Sequence, residues 1–260
     1  MTANASLDLA AALGIRGGIV CTVGAGGKKS LQYALARAIG GRVGVTATVT
    51  TYHFPRSLQA EVLIDDEDSL RQQLARPGAP GVYAYACPST KGGRLDGLAP
   101  ATIAAIHTGG AFDLTLVKAD GARMRGIKAP KVSEPVLPEN PACVLAIVSA
   151  RVIGEPLNAA VAHRPELLAD VVGAALESII TPEHVGRLLA SERGALQGSA
   201  GLRVVPVINQ VDDEARLQQA RAAAKVALAQ TARFDRVVLT CLHGDNQRVE
   251  VVSRAAADGG

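Results

Sequence analysis

This chain has no tryptophan, and aromatic residues make up only 3% of it. So few rings leave no stacking platform for single-stranded nucleic acid, which argues against that class of partner. It also lacks a marked excess of either charge. A net charge of +3, spread along the chain, is too small to point to a nucleic-acid backbone. The four cysteines, Cys21, Cys87, Cys143 and Cys241, include no pair at metal-ligand spacing. They read as buried free thiols in a reducing compartment. No segment is apolar for long enough to cross a membrane, and Met1–Gly14 lacks the basic start and apolar run of a secretory signal. Together these absences predict a cytoplasmic protein with no nucleic acid and no membrane among its partners.

Hydrophobic residues at 48% beside 20% charged residues are an ordinary globular composition. With aromatics scarce, the core must be built from Ala, Val, Leu and Ile. Strand patterns fall at 19–23, 43–49, 61–64, 82–87, 114–119, 143–148, 204–208, 236–240 and 248–252. Helical patterns fall at 6–14, 28–39, 66–75, 100–107, 166–178, 182–190 and 214–229. This alternation predicts an α/β fold, a mostly parallel sheet flanked by helices. We read residues 1–260 as a single P-loop NTPase-like domain with a helical insertion around 155–200. Pro130, Pro135, Pro138 and Pro141 mark Asp120–Pro141 as a long Pro-rich loop after the Asp120 strand.

The richest stretch is Gly17–Ser30, a short apolar run, a glycine-rich turn, two lysines and a serine. Backbone N–H groups of such a turn, with the positive end of the following helix, form an anion site. Against Gly-x4-Gly-Lys-[Ser/Thr], Gly27 precedes Lys28 as required, while Thr22 stands at the first glycine and Lys29 at the hydroxyl. Ser30 then supplies a hydroxyl one residue late. Making Lys29 the phosphate lysine puts Ser30 in place but leaves Val23 and Lys28 where glycines belong, so the first register is preferred. A dinucleotide fingerprint starting at Gly24 fails at Lys29. Gly24, Gly26, Gly27, Lys28, Lys29 and Ser30 are therefore candidate phosphate-binding residues. The alternative is a turn that is glycine-rich for packing alone.

Asp120 follows the apolar run 114–119 and is predicted at the carboxyl edge of its strand. There it could serve as the catalytic carboxylate and, with Ser30, as a ligand of Mg²⁺; it could equally cap a turn before Gly121. Arg123, Arg125 and Lys128 follow, either clamping an anion or forming a solvated face. Thr46, Thr48, Thr50 and Thr51 could offer hydroxyls at a strand edge or simply reflect β propensity; Thr48 is taken as the candidate contact. Asn209-Gln-Val-Asp212 resembles the Asn-Lys-x-Asp guanine motif with Gln for Lys, so Asn209 and Asp212 are candidate base-reading residues. The competing reading makes Asp212 a helix N-cap and puts Asn209 in a turn. His163-Arg-Pro-Glu166 reads as a helix start with a histidine able to bind or move a proton.

Taken together, these pieces resemble the YqeC-type family of selenium-dependent hydroxylase accessory proteins. The matching residues are Val23-Gly-Ala-Gly-Gly-Lys28, the Thr-rich stretch Val45–Pro55, Ala119-Asp-Gly-Ala122, Lys128-Ala-Pro130, Glu134-Pro135, His163–Glu166 and Asn209–Asp212. They run in family order from about residue 18 to 212. The resemblance implies a P-loop nucleotide-binding protein, using GTP or ATP with Mg²⁺, tied to maturation of molybdenum-containing hydroxylases. Its implied partners are such an enzyme or its cofactor-handling proteins. Two positions depart from the family pattern: Lys29 where Thr is usual, and Lys118 where an acid is usual. The function expected is a nucleotide-binding maturation factor with slow NTPase activity. The alternative is a non-catalytic carrier or chaperone of an anionic molybdopterin-type cofactor that uses Lys29, Lys118, Arg123 and Arg125. A small-molecule kinase using Asp120 and His163 is a weaker third reading.

Overall fold

A computed structural model describes residues 9–243 and 247–254. Residues 9–13 are helical; the earlier part of the helix expected at 6–14 lies outside the described residues. Along the chain run β1 (Gly18–Gly24), α1 (Lys28–Ala38), β2 (Arg42–Ala47), β3 (Thr51–Tyr52), β4 (Glu61–Ile64), α2 (Glu67–Leu74) and β5 (Gly81–Pro88). Then come β6 (Arg94–Asp96), α3 (Pro100–Gly109), β7 (Leu114–Lys118), β8 (Ile127–Lys128), β9 (Cys143–Ser149), β10 (Ala162–His163) and α4 (Pro165–Val172). The chain ends with α5 (Pro182–Ala190), β11 (Val204–Asn209), α6 (Glu214–Gln230), β12 (Arg236–Cys241) and β13 (Arg248–Ser253). The fold is α/β, a mostly parallel mixed sheet flanked by helices.

The chain divides into two compact units, and β9 begins in the first and ends in the second. Of the described residues, the first unit holds 9–23, 28–121 and 131–145. Its strands run in the order β1, β7, β2, β5, β6, β3, with β4 also on β5. The β1–β7, β7–β2, β2–β5 and β4–β5 pairs are parallel, whereas β6 is antiparallel to both β5 and β3. All six β2 residues are buried, as expected of a strand covered on both faces. Leu31 and Leu35 of α1, Leu70 and Leu74 of α2, and Ile103 and Ile106 of α3 fill the core. Asp66 caps α2 by accepting from the Ser69 N–H at 3.0 Å.

Of the described residues, the second unit holds 24–27, 122–130, 146–243 and 247–254. Here β11 pairs parallel with β12, and β13 closes antiparallel on β12. Helix α5 packs on α6 through an unusually small-residue face. A Cβ on Gly186 would come within 2.5 Å of Val226, and Ala220, Ala223, Ala224 and Ala227 line the buried side of α6. Tight backbone approach replaces the bulk that aromatic residues would otherwise supply.

One expectation needs correction. The helix read at 166–178 stops at Val172, because Gly173 takes a left-handed φ of 70° and its N–H bonds back to Ala169 O at 2.9 Å. The segment 120–141 is a long loop, as expected, carrying one two-residue strand, Ile127–Lys128 (β8), parallel to β10. The short strands β3 and β6 escape a reading based on apolar runs, being two and three residues long.

Candidate functional site

In the second unit the glycine loop is held against its surroundings at three points. Gly24, Gly26 and Gly27 have φ of +87°, +91° and +112°, where side chains are strained. A Cβ would lie 2.2 Å from Ile147 O at Gly24, 2.4 Å from Ser149 N at Gly26 and 2.3 Å from Asn209 Nδ2 at Gly27. The Ala25 N–H donates to Ile147 O at 2.8 Å. Among the described residues no protein acceptor takes the Gly26 or Gly27 N–H. Asn209, 2% exposed, donates from Nδ2 to Gly26 O at 2.8 Å and accepts from the Thr240 hydroxyl at 2.9 Å. The carboxamide is thus spent on fixing the loop to β11 and β12.

Asp212 does not cap α6. Asp213 does so, accepting from the Arg216 N–H at 2.8 Å. Asp212 instead accepts from Arg151 Nε at 2.5 Å and from the Cys241 thiol at 3.6 Å. Burial, with the Asp212 carboxylate also contributing, raises the Cys241 thiol above its usual range, which keeps it protonated. Gln210, at a left-handed φ of 63°, accepts from the Ser149 hydroxyl. Asn209, Gln210 and Asp212 therefore share no partner: Asn209 meets Gly26 and Thr240, Gln210 meets Ser149, and Asp212 meets Arg151 and Cys241. Arg123 and Arg125 are exposed, with Arg123 and Met124 both at positive φ. Lys128 is buried on β8, paired in register with His163 of β10. Arg164 is the left-handed residue before α4 and donates to Ala129 O at 3.2 Å, so His163–Glu166 is a helix start.

In the first unit Lys28 opens α1, and its ammonium lies 2.9 Å from Asp120 Oδ1, with exposures of 7% and 2%. An ammonium at a helix N-terminus opposes the dipole. A buried carboxylate beside it offsets that repulsion, and removing either partner would be strongly destabilising. Lys29 turns elsewhere. Its ammonium donates to Tyr52 O at 2.8 Å and His53 O at 3.4 Å, within about 6 Å of the Tyr33, Tyr52 and Phe54 rings. Burial, then the Arg94 charge, lowers its pKa to about 8. Lys118 likewise donates to Thr50 O at 2.7 Å. Both lysines that depart from the family pattern thus bind backbone carbonyls of the segment 50–53. Thr48 donates to Val136 O at 2.7 Å, and the Val136 N–H to Ala119 O at 3.0 Å, so Thr48 anchors the Pro-rich segment. Ser30 is half-buried in the first turn of α1.

Ser149 and Arg151 were invisible in the sequence because neither sits in a recognisable motif. The available signal was positional: Ser149 ends the apolar run 143–148 as Asp120 follows 114–119. Among the described residues no group of three or more His, Cys, Asp or Glu could hold a metal ion. No helix of the described residues is long and apolar enough to cross a membrane.

Comparison with known proteins adds the family. The family model described as YqeC protein matches residues 20–166, more than half of the chain. The Escherichia coli (strain K12) protein named "Uncharacterized protein YqeC" is 30% identical over 195 residues, covering 74% of this chain and 75% of that relative. The matched region includes the glycine loop, Lys28 and Asp120. On both findings, the chain belongs to the YqeC family.

Proposed function

We propose that this protein binds a nucleoside triphosphate through the loop Gly24–Gly27 and Lys28, and acts as an accessory factor in maturing molybdenum-containing hydroxylases, selenium-dependent ones included. The observation that carries the binding reading is the pair of loop amides, Gly26 and Gly27, with no protein acceptor among the described residues. Orphan N–H groups on a glycine loop that leads into a helix suit an anion. Lys28, the next residue along the chain, supplies the cation for the terminal phosphates. The accessory role extends the family resemblance and the family membership.

Ser30 and Asp120 offer hard oxygen donors, and Mg²⁺ usually arrives with substrate phosphates and few protein ligands. These two residues fit that role; bound there, the ion would neutralise charge on the phosphates. Lys29 does not oppose it, because its ammonium is held by the Tyr52 and His53 carbonyls. Asp212 reads the base in this proposal, in exchange for Arg151. Turnover is slow in this proposal, since Asp120 and Lys28 must first give up their ion pair to take the metal and the phosphates. A second reading, a carrier of an anionic molybdopterin-type cofactor, is favoured by the exposed Arg123 and Arg125. The test is nucleotide titration of Lys28→Ala beside the unaltered protein. Loss of binding in a variant whose thermal melt shows it folded at the titration temperature supports the proposal; equal affinity contradicts it.

A further inference from the structure

Gln32 belongs to no motif, yet it and Tyr33 are the two α1 residues with a buried side-chain polar atom that has no partner among the described residues. Gln32 is 1% exposed, and its Nε2 has no hydrogen-bond acceptor among the described residues. A buried amide donor left this way is costly, and native proteins rarely keep one without a reason. Surface-facing positions on the same helix could carry glutamine at no cost; this one lies on the buried face with Lys28, Leu31, Leu35 and Ala36.

Its position gives the reason. Gln32 is four residues after Lys28, so the two share one stripe of the helix, with Cβ atoms about 5–6 Å apart. Long side chains in a helix lean back over the preceding turn. That tendency would carry the Gln32 carboxamide over the turn of Lys28, whose ammonium meets Asp120. The Nε2–H is buried without an acceptor, so a ligand oxygen reaching it would satisfy it.

We propose that Gln32 is a further ligand-binding residue: its Nε2–H donates to an oxygen of the same anion that Lys28 neutralises, a terminal phosphate oxygen of the nucleotide. This rests on the nucleotide reading above. The two groups are complementary. Lys28 supplies charge without direction, while a planar amide supplies one directed donor and so selects a tetrahedral oxyanion at a set distance.

The experiment compares the full chain with Gln32→Met and Gln32→Glu, using MgGTP, MgATP and magnesium pyrophosphate as probes in calorimetry, and thermal melts without ligand. Gln32→Met removes the orphan donor at similar volume. It should leave the unliganded melting temperature unchanged or raise it by about 2–4 °C, while weakening binding about tenfold. Gln32→Glu sets a carboxylate toward the anion and should abolish binding. That opposition, stability kept and affinity lost, is something a purely structural glutamine would not produce. Gln32→Met binding like the unaltered protein would overturn the inference and leave the nucleotide reading intact. If the unaltered protein binds none of the three probes, both fall. A Gln32→Met chain that melts several degrees lower would mean the amide is satisfied in the fold, and would also overturn it.

Discussion

Replacing Asn209 tests how the glycine loop is held. Its carboxamide makes two buried hydrogen bonds, to Gly26 O at 2.8 Å and from the Thr240 hydroxyl at 2.9 Å. In Asn209→Ala both partners lose their bond, and Thr240 is fully buried, so its hydroxyl cannot turn to water. At about 1–3 kcal/mol for each buried group left without a partner, the variant should lose about 3 kcal/mol. Thr240→Val breaks one of these bonds and should cost about 1 kcal/mol. Asn209→Asp keeps the Thr240 bond but turns a carboxylate oxygen toward the Gly26 carbonyl, so it should fall nearer to alanine than to valine. Hydrogen exchange read by mass spectrometry on a peptide spanning 20–30 isolates the loop from the rest of the chain. A 3 kcal/mol loss speeds exchange of the Ala25 amide about a hundredfold. Exchange within threefold of the unaltered protein in Asn209→Ala would show that the loop does not depend on this side chain and would refute the account of its role.

Three further outcomes follow from the geometry. Gly26→Ala should destabilise by about 2–4 kcal/mol, because its Cβ would meet the Ser149 backbone at positive φ; Gly40→Ala, with nothing within 4 Å, should be neutral or slightly stabilising in the same urea melts. The Lys29 amine should titrate near 8, read by its acylation rate against pH; a midpoint above 10 would show that the carbonyl and ring contacts outweigh burial and the Arg94 charge, and would contradict the lowering. Because its folded pKa lies below the ordinary lysine value of 10.5, its contribution to stability is lost as pH falls through about 8 and grows as pH rises from 8 towards 10.5. Unaltered protein should therefore gain stability over Lys29→Met across that window, measured by denaturation midpoints. Asp212→Ala should abolish any preference for GTP over ATP, and Arg151→Ala should strengthen it; equal preference in all three proteins, by competition binding, would remove Asp212 from base recognition.

The sheet is legible in the sequence because its strands are continuous apolar runs bounded by turns, as with Val204–Asn209 and Cys143–Ser149, both fully buried. Helix starts are legible where capping chemistry is local, as at Thr181-Pro182, where Thr181 and His184 cap each other. The end of α4 is missed because apolar spacing continues past Gly173, and only the left-handed glycine says that the helix has stopped. The meeting of Lys28 and Asp120 can be anticipated from topology, since β1 and β7 pair in parallel and both residues follow a strand. The fates of Lys29, Lys118 and Thr48 cannot. Each is set by a carbonyl far along the chain, at Tyr52, Thr50 and Val136, and no spacing rule announces such partners. The assignment of Asp213 rather than Asp212 as the cap of α6 differs by one residue, a shift that pattern reading does not resolve.

The most direct measurement is a calorimetric titration of the purified full chain with GTP and with ATP, each with and without Mg²⁺. The account predicts saturable binding of at least one nucleotide, strengthened by Mg²⁺ and lost in Lys28→Ala. Absence of binding for both nucleotides under both conditions would contradict it.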